Sequence, residues 1–386
     1  MPVFISGVQY SGIWTMQQVN SAISAGTWPQ QTNVLYSWGY GVSGLSGLGN
    51  TTDYSSPKQI TATSTWSAVA TGAQGPSFGL KTNGTLWAWG KNTSGQLGLG
   101  NLTNYSSPKQ VGVLTTWSGI QSHAATTIAT QSNGTIWSWG DNSNGQLGLG
   151  NTTNYSSPKQ IGSLTNWLTV SGSYQSTHAL AVKTDGTLWS WGSNDQGQLG
   201  LSNTTNYSSP KQIGALTGWL TASASYKNSF AIKTDGTMWS WGRNNYGQLG
   251  LGNTTRYSSP KQVGSLTNWL TISAGYFCTV SVKTDGTLWG WGTNNLGQLG
   301  LGNTTTYYSS PKQVGSLTTW LKVSGGCYAT GAIKTDGTLW TWGGGSRGGL
   351  GLGNTTNYSS PKQVGSLTSW VQIGVGQQNM IAIANV

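Results

Sequence analysis

The chain has 386 residues, a formal net charge of +11, only 6% charged residues, and seven Asp with no Glu. So few carboxylates leave little for paired-carboxylate or triad catalysis, and two cysteines make no disulfide framework. No apolar run reaches transmembrane length, and 22 Trp in strict register argue for a packed core rather than a disordered polar chain.

Residues 1–32 stand apart from the rest of the chain. Val3 to Tyr10 reads as one short strand. Thr15 to Ala25 reads as a short helix, because Met16, Val19 and Ile23 recur at steps of three and four. Thr15 can cap its start, Gly26 can end it, and Trp28-Pro29 breaks the chain. No basic residue precedes the first apolar stretch and no secretion-type core is present, so no signal peptide is expected.

From Asn33 one unit repeats. The second Trp of its Trp-x-Trp-Gly run falls at Trp38, Trp89, Trp139, Trp191, Trp241, Trp291 and Trp342, with steps of 50 to 52 residues. The first copy has Tyr36 in place of its first Trp. A fixed period of this length means a repeat architecture. In the unit from Trp167, Trp167 to Ser173 is strand A and His178 to Thr184 is strand B. Asp185-Gly186 is a hairpin turn. Thr187 to Gly192 is strand C, with Trp189 and Trp191 on one side. Ser209 to Ile213 is strand D, an edge that tolerates Pro210. The small residue between the paired Trp is expected to make room for the neighbouring unit.

Seven units of four antiparallel strands predict an all-β fold, a seven-bladed β-propeller over residues 33–386, preceded by a docking arm over 1–32. The chain ends on strands A and B (Trp370 to Val386) and the repeats begin on C and D (Asn33 to Ile60). The N- and C-terminal strands should therefore close the last blade together. Seven lysines lie in Ser-Pro-Lys-Gln tetrads and five more precede the B–C turns. They form circles rather than one patch, so they read as a solvated surface and nucleic-acid binding is not expected. Cys278 and Cys327 read as free thiols.

In such blades the A–B and C–D turns share one face of the disc, and the B–C and D–A turns share the other. The second face is nearly uniform, with Thr-Asp-Gly and Gly-Ser-Leu-Thr repeated. The first is where the units differ, as a recognition surface would. Its candidate partner-binding residues are Tyr40, Lys91, His123, Asp141, Tyr174, Gln175, Tyr226, Lys227, Arg243, Tyr276, Phe277, Tyr328 and Gln377. No catalytic residue stands out, since Asp185, Asp235, Asp285 and Asp336 have turn-forming work. His123 and His178, in adjacent blades, could approach each other, but no Cys/His spacing supports a metal and no cofactor is expected.

Two resemblances add to this. The stretch SGIWTMQQVNSAISAGTWP, through Gly12, Trp14, Trp28 and Pro29, resembles an N-terminal segment of tailed-phage structural proteins. It implies that Trp14, Met16, Val19, Ile23 and Trp28 dock on other virion proteins. Gly236 to Gly252 (GTMWSWGRNNYGQLGLG), with its counterparts across 33–386, resembles the regulator-of-chromosome-condensation repeat, which implies a seven-bladed propeller. Founding members of that family exchange nucleotide on a small GTPase and bind chromatin, with a wedge inserted in a blade. No blade here carries an insertion, so no exchange residue transfers. Bacterial members resemble pure binding proteins, including an inhibitor of β-lactamases. The expected function is a non-enzymatic phage virion protein on the capsid or tail surface, found in the virion and, during assembly, in the host cytoplasm. Its variable face would meet a virion protein, a host surface protein or a glycan. The alternatives are a free bacterial binding or inhibitory propeller and, more remotely, a guanine nucleotide exchange factor.

Overall fold

Short runs of Trp, Val, Ile and Thr, cut by Gly-containing turns, suit a pleated surface and give strands rather than helices. A computed structural model describes residues 32–61, 65–72, 75–172 and 177–386, together with two strands at Val3–Ile5 and Val8–Tyr10. Seven four-stranded antiparallel sheets form the blades of a propeller. In the third blade the strands are Trp167–Ser171, His178–Lys183, Leu188–Gly192 and Tyr207–Gln212, bonded in that order. Strand D begins two residues earlier than the sequence suggests, because Tyr207 pairs with Gly192. The register slips between Ser190 and Gly192, opposite the stretch holding Pro210, which has no N–H for the ladder.

The seventh blade joins the chain ends. Its strands are Trp370–Val375, Asn379–Asn385, Asn33–Gly39 and Tyr54–Gln59. Asn33–Gly39 pairs with Asn385–Asn379 without a break, and Thr32 and Val386 exchange backbone hydrogen bonds of 3.1 and 3.0 Å. This closes the ring and pairs two strands, one from each end of the chain, that would otherwise stand as open edges. At the N-terminus, Val3–Ile5 and Val8–Tyr10 pair as two antiparallel strands rather than the one expected. The overlooked signal is Ser6-Gly7, a turn dipeptide. The expected helix at 15–25, and Trp14, Met16, Val19, Ile23 and Trp28 with it, lie outside the described residues.

The cores lie between blades. Leu180, Val182, Leu188 and Ile213 of the third blade pack on Trp219, Ala224, Ala231 and Trp241 of the fourth. The second Trp of every unit is buried to 1% exposure or less. It also latches the blades. Trp191 Nε1 donates to the Gln146 carbonyl, in the preceding blade's C–D loop, at 3.0 Å. Trp139, Trp241 and Trp291 do the same to Gln96, Gln198 and Gln248 at 2.9 Å. Gly148 of that loop has φ +73°, and a Cβ on it would stand 2.8 Å from Trp191 Nε1. The residue between the paired Trp serves the loop of its own blade, not the neighbouring blade as expected. Ser190 Oγ donates to the Leu199 carbonyl at 2.8 Å, and a Cβ on Gly290 would meet Leu299 at 3.3 Å.

The lysines before the B–C turns are packed rather than solvated. Lys183, Lys283 and Lys334 are 4–9% exposed, and Lys183 Nζ lies 3.8 Å from the Trp189 ring centre and 4.9 Å from that of Trp167. The methylene stems lie along indoles while the ammonium groups sit over their faces. The tetrad lysines stand over tyrosine rings; Lys159, for instance, is 5.4 Å from Tyr155. The seven tetrad lysines nevertheless remain exposed to solvent, as expected, so only the lysines before the B–C turns are a packing device of the repeat.

The A strands surround a central cavity of about 360 Å³, lined by Ser and Thr hydroxyls interspersed with Val, Ile, Ala and Gly. In the third to sixth blades a serine hydroxyl stitches it to the next blade. Ser171, Ser223, Ser273 and Ser324 each accept from a backbone N–H of the next blade, at 2.9–3.2 Å.

Candidate functional site

The strand directions put the A–B turns and C–D loops together. Lys227, in the A–B turn of the fourth blade, pairs with Asp195 in the third blade's C–D loop. Gln378 and Ser346 make the same kind of contact at 3.1 Å. On the opposite face, Asp185 Oδ1 accepts from Thr187 N (2.9 Å) and Oγ1 (2.6 Å), which holds its carboxyl below the usual range. That face also exposes a ring of leucines, among them Leu164, Leu168, Leu216 and Leu220. Strand C runs from the B–C turn towards the C–D loop, so Asn33, and with it the exit of residues 1–31, lies on the leucine face.

The A–B turns close over the cavity like the leaves of an iris. A Cβ on Gly275 would stand 2.0 Å from the Gly326 carbonyl, and one on Gly326 2.3 Å from the Gly376 carbonyl. Side chains are excluded there by the next turn. His123 occupies the equivalent position in its blade, and its ring fills the space beside Gly172, where a Cβ would sit 1.1 Å from Nε2. At 1% exposure His123 is therefore not a surface residue, contrary to expectation. His178 is fully buried, with Nε2 2.8 Å from Ser229 Oγ, and burial followed by the charge of His123 pushes its pKa down to about 3. The two histidines do interact. No group of three His, Cys or Asp suited to a metal occurs among the described residues.

The varied side chains, most of them half-buried, fall into distinct sectors. One spans the third to fifth blades. Tyr226 lies 4.6 Å from Tyr276 and 6.1 Å from Phe277, ring centre to ring centre. Tyr276 and Phe277 are 4.1 Å apart, Phe277 and Tyr246 5.0 Å, and Tyr246 and Tyr307 6.4 Å. The Arg243 guanidinium lies 4.9 Å from the Phe277 ring centre and 6.0 Å from that of Tyr226. Burial and the neighbouring Tyr226 push the Tyr276 hydroxyl up to about 12. Burial would raise the Asp195 carboxyl, but hydrogen bonds from Lys227, Gln198 and Gln196 outweigh it and bring it to about 2.

Sequence reasoning missed Tyr246, Tyr307, Asp195 and Arg256, whose Nη1 reaches Gln196 Oε1 at 3.3 Å. A signal existed at the fourth residue past each Trp-Gly, which varies through Ser94, Asn144, Gln196, Tyr246 and Leu296.

The remaining candidates lie apart from this cluster or beside it. Tyr328 is 36% exposed, and the adjoining Cys327 raises its pKa. Gln377 sits next to it. Cys327 packs on Ala124 and Tyr276. Cys278 and Cys327 are buried thiols outside any disulfide, and burial, then Cys327, pushes the Cys278 thiol up to about 12. Tyr40 lies under Arg347 at 4.7 Å, and Arg347 pairs with Asp53 at 3.2 Å. Asp141 serves its own loop, accepting from Gln146 Nε2 at 2.7 Å and Ser143 Oγ at 3.1 Å. Lys91 is half-buried on the first blade. Tyr174 and Gln175 lie outside the described residues.

The regulator of chromosome condensation (RCC1) repeat matches residues 83–129, 133–180, 185–232, 235–282, 285–333 and 336–383. A second form of the repeat matches 66–96, 221–248 and 270–298. Similar solved structures include Prp20p from Saccharomyces cerevisiae, 20% identical, covering 92% of each chain, with a TM-score of 0.81. Human WBSCR16 is also 20% identical, covers 92% of this chain and 99% of its own, and has a TM-score of 0.81. At this identity the likeness is one of fold.

Proposed function

This chain belongs to the regulator-of-chromosome-condensation repeat family, and from that premise we propose that it is a non-catalytic recognition propeller. Its A–B and C–D face holds a macromolecular partner, and residues 1–32 fasten the disc to a phage particle. The observation that carries this is the opposition of the two surfaces. The chain leaves the ring at Thr32 beside Val386 on the leucine face, while the varied side chains crowd the other. A disc fastened by residues 1–32 would present the varied face outwards. Protein binding has a precedent on this fold, since Prp20p has binding properties towards Gsp1p and histones.

Mass spectrometry of purified phage particles tests the attachment. Recovery of the chain at fixed stoichiometry with capsid or tail proteins, lost when residues 1–32 are deleted from a still-folded propeller, is the expected result. Absence from particles, with the chain in the soluble fraction, would overturn the virion reading. That outcome favours a free bacterial binding propeller and leaves the face assignment untouched. Nucleotide exchange has little support, because the repeat period admits no inserted wedge.

A further inference from the structure

The varied face is unequal around the ring. From the third to the fifth blade it carries five aromatic rings in mutual contact, Tyr226, Tyr246, Tyr276, Phe277 and Tyr307. Lys227 and Arg243 lie against these rings, and Arg256 reaches Gln196 beside Asp195, the one carboxylate of the sector. Asp195 is engaged by Lys227. Among the described residues no carboxylate pairs with Arg243 or Arg256: Arg243 rests on ring faces, and Arg256 reaches a neutral amide.

We propose that this sector docks an acidic protein segment, one with carboxylates placed around an aromatic or aliphatic anchor. The inference rests on the recognition reading above and names the chemistry of the partner. Three arguments carry it. Neither the half-buried Arg243 nor the exposed Arg256 has a compensating charge among the described residues, so an approaching carboxylate gains bidentate hydrogen bonds, at Arg243 in a partly desolvated setting. Tyr and Arg clustered in one sector of a varied face are the side chains that concentrate binding energy at protein interfaces. The rings also pack on one another at tilted and edge-on angles, 35° for Tyr226 and Tyr276, 83° for Tyr226 and Phe277, and 69° for Tyr246 and Tyr307. With Arg243 over Phe277, they form a ridge rather than the open flat platform on which a sugar ring stacks.

The probe is a fluorescein-labelled random Glu–Tyr copolymer, titrated by anisotropy with the full-length chain at low and moderate salt. Poly-glutamate, a Lys–Tyr copolymer and hyaluronan are the comparators. The Glu–Tyr copolymer should bind tightest, and more weakly as salt rises. Arg243→Glu and Tyr226→Ala should each weaken it about tenfold or more, the size of an interface hot spot. Arg243→Gln, which keeps the packed stem, should give an intermediate loss and controls for folding together with the melting curve. Lys159→Glu, on the exposed outer strand of the second blade, should change binding less than about twofold, since a charge outside the contact patch acts only through a screened field. Equal binding of poly-glutamate or of hyaluronan would overturn the proposal, the latter in favour of an acidic glycan. Loss with Lys91→Glu, in another sector, but not Arg243→Glu would sink this sector and leave the recognition face standing. Loss only when Leu164 and Leu216 of the opposite face become Asp would overturn both.

Discussion

Two buried tryptophans of one blade offer a controlled test of the inter-blade latch. Trp191 and Trp167 are both almost fully buried, and their rings lie 6.3 Å apart, edge to face. Trp191 Nε1 donates to the Gln146 carbonyl of the preceding blade, while Trp167 Nε1 has no acceptor among the described residues. Changing either residue to Phe removes the same atoms and leaves a similar gap, costing on the order of 1–2 kcal/mol. Trp191→Phe also deletes the latch and strands a buried carbonyl, adding roughly 1–2 kcal/mol. Trp167→Phe instead removes a buried donor that was unsatisfied, a relief of about 1–2 kcal/mol. It loses part of the Lys183 contact, about 0.5 kcal/mol, which Trp189 shares at shorter range. Trp191→Phe should therefore be the more destabilising by roughly 2–3 kcal/mol, read as the difference in urea midpoint at constant m-value. Equal midpoints for the two variants would show that shape alone joins the blades and that the indole bond carries no weight.

Other perturbations test the same contacts. Gly148→Ala places a Cβ against Trp191 Nε1 at φ +73°, so it should cost about 2 kcal/mol or more and lower the melting temperature visibly. Removing residues 380–386 deletes the strand that pairs with Asn33–Gly39; a larger radius of gyration in solution scattering and rapid proteolysis near Asn33 should result. His178 titrates near 3 in the folded chain against about 6.5 unfolded, so the unfolded state binds the extra proton. Stability should be full above about pH 6.5 and fall as the pH drops towards 3, by up to about 1.4 kcal/mol per unit, and His178→Gln should flatten that decline. A pH-independent midpoint in wild-type chain over that range would contradict the burial argument.

Most of the architecture was legible because it repeats. The fifty-residue step of Trp38 to Trp342 set the blade count, and the incomplete units at Asn33 and Trp370 pointed to the closure. Contacts that cross from one repeat to another were not legible. His123 looks like a surface residue in its own unit; only Gly172, one repeat further on, makes the space that buries it. Within one blade, side-chain stacking between strands was equally hidden: Lys183 looks solvated until Trp167 and Trp189 of the flanking strands are seen beneath it. The aromatic ridge joins A–B turns to C–D loops of neighbouring blades, so Tyr246 and Tyr307 could not be linked to Phe277 by any local pattern.

The seam between the chain ends also sets an order of events during folding. Six blades pair strands that are close in sequence and can form as each unit emerges. The seventh must bring Thr32 to Val386, 354 residues apart, and pays the loop-closure entropy last. Until then Asn33–Gly39 waits as an open strand edge, the kind of surface that captures a second nascent chain. A permuted chain that fuses Val386 to Thr32 and opens at Gly162-Ser163, between two blades, would turn every sheet into a local one. Such a chain should refold faster, and with less aggregation, than the natural order of strands.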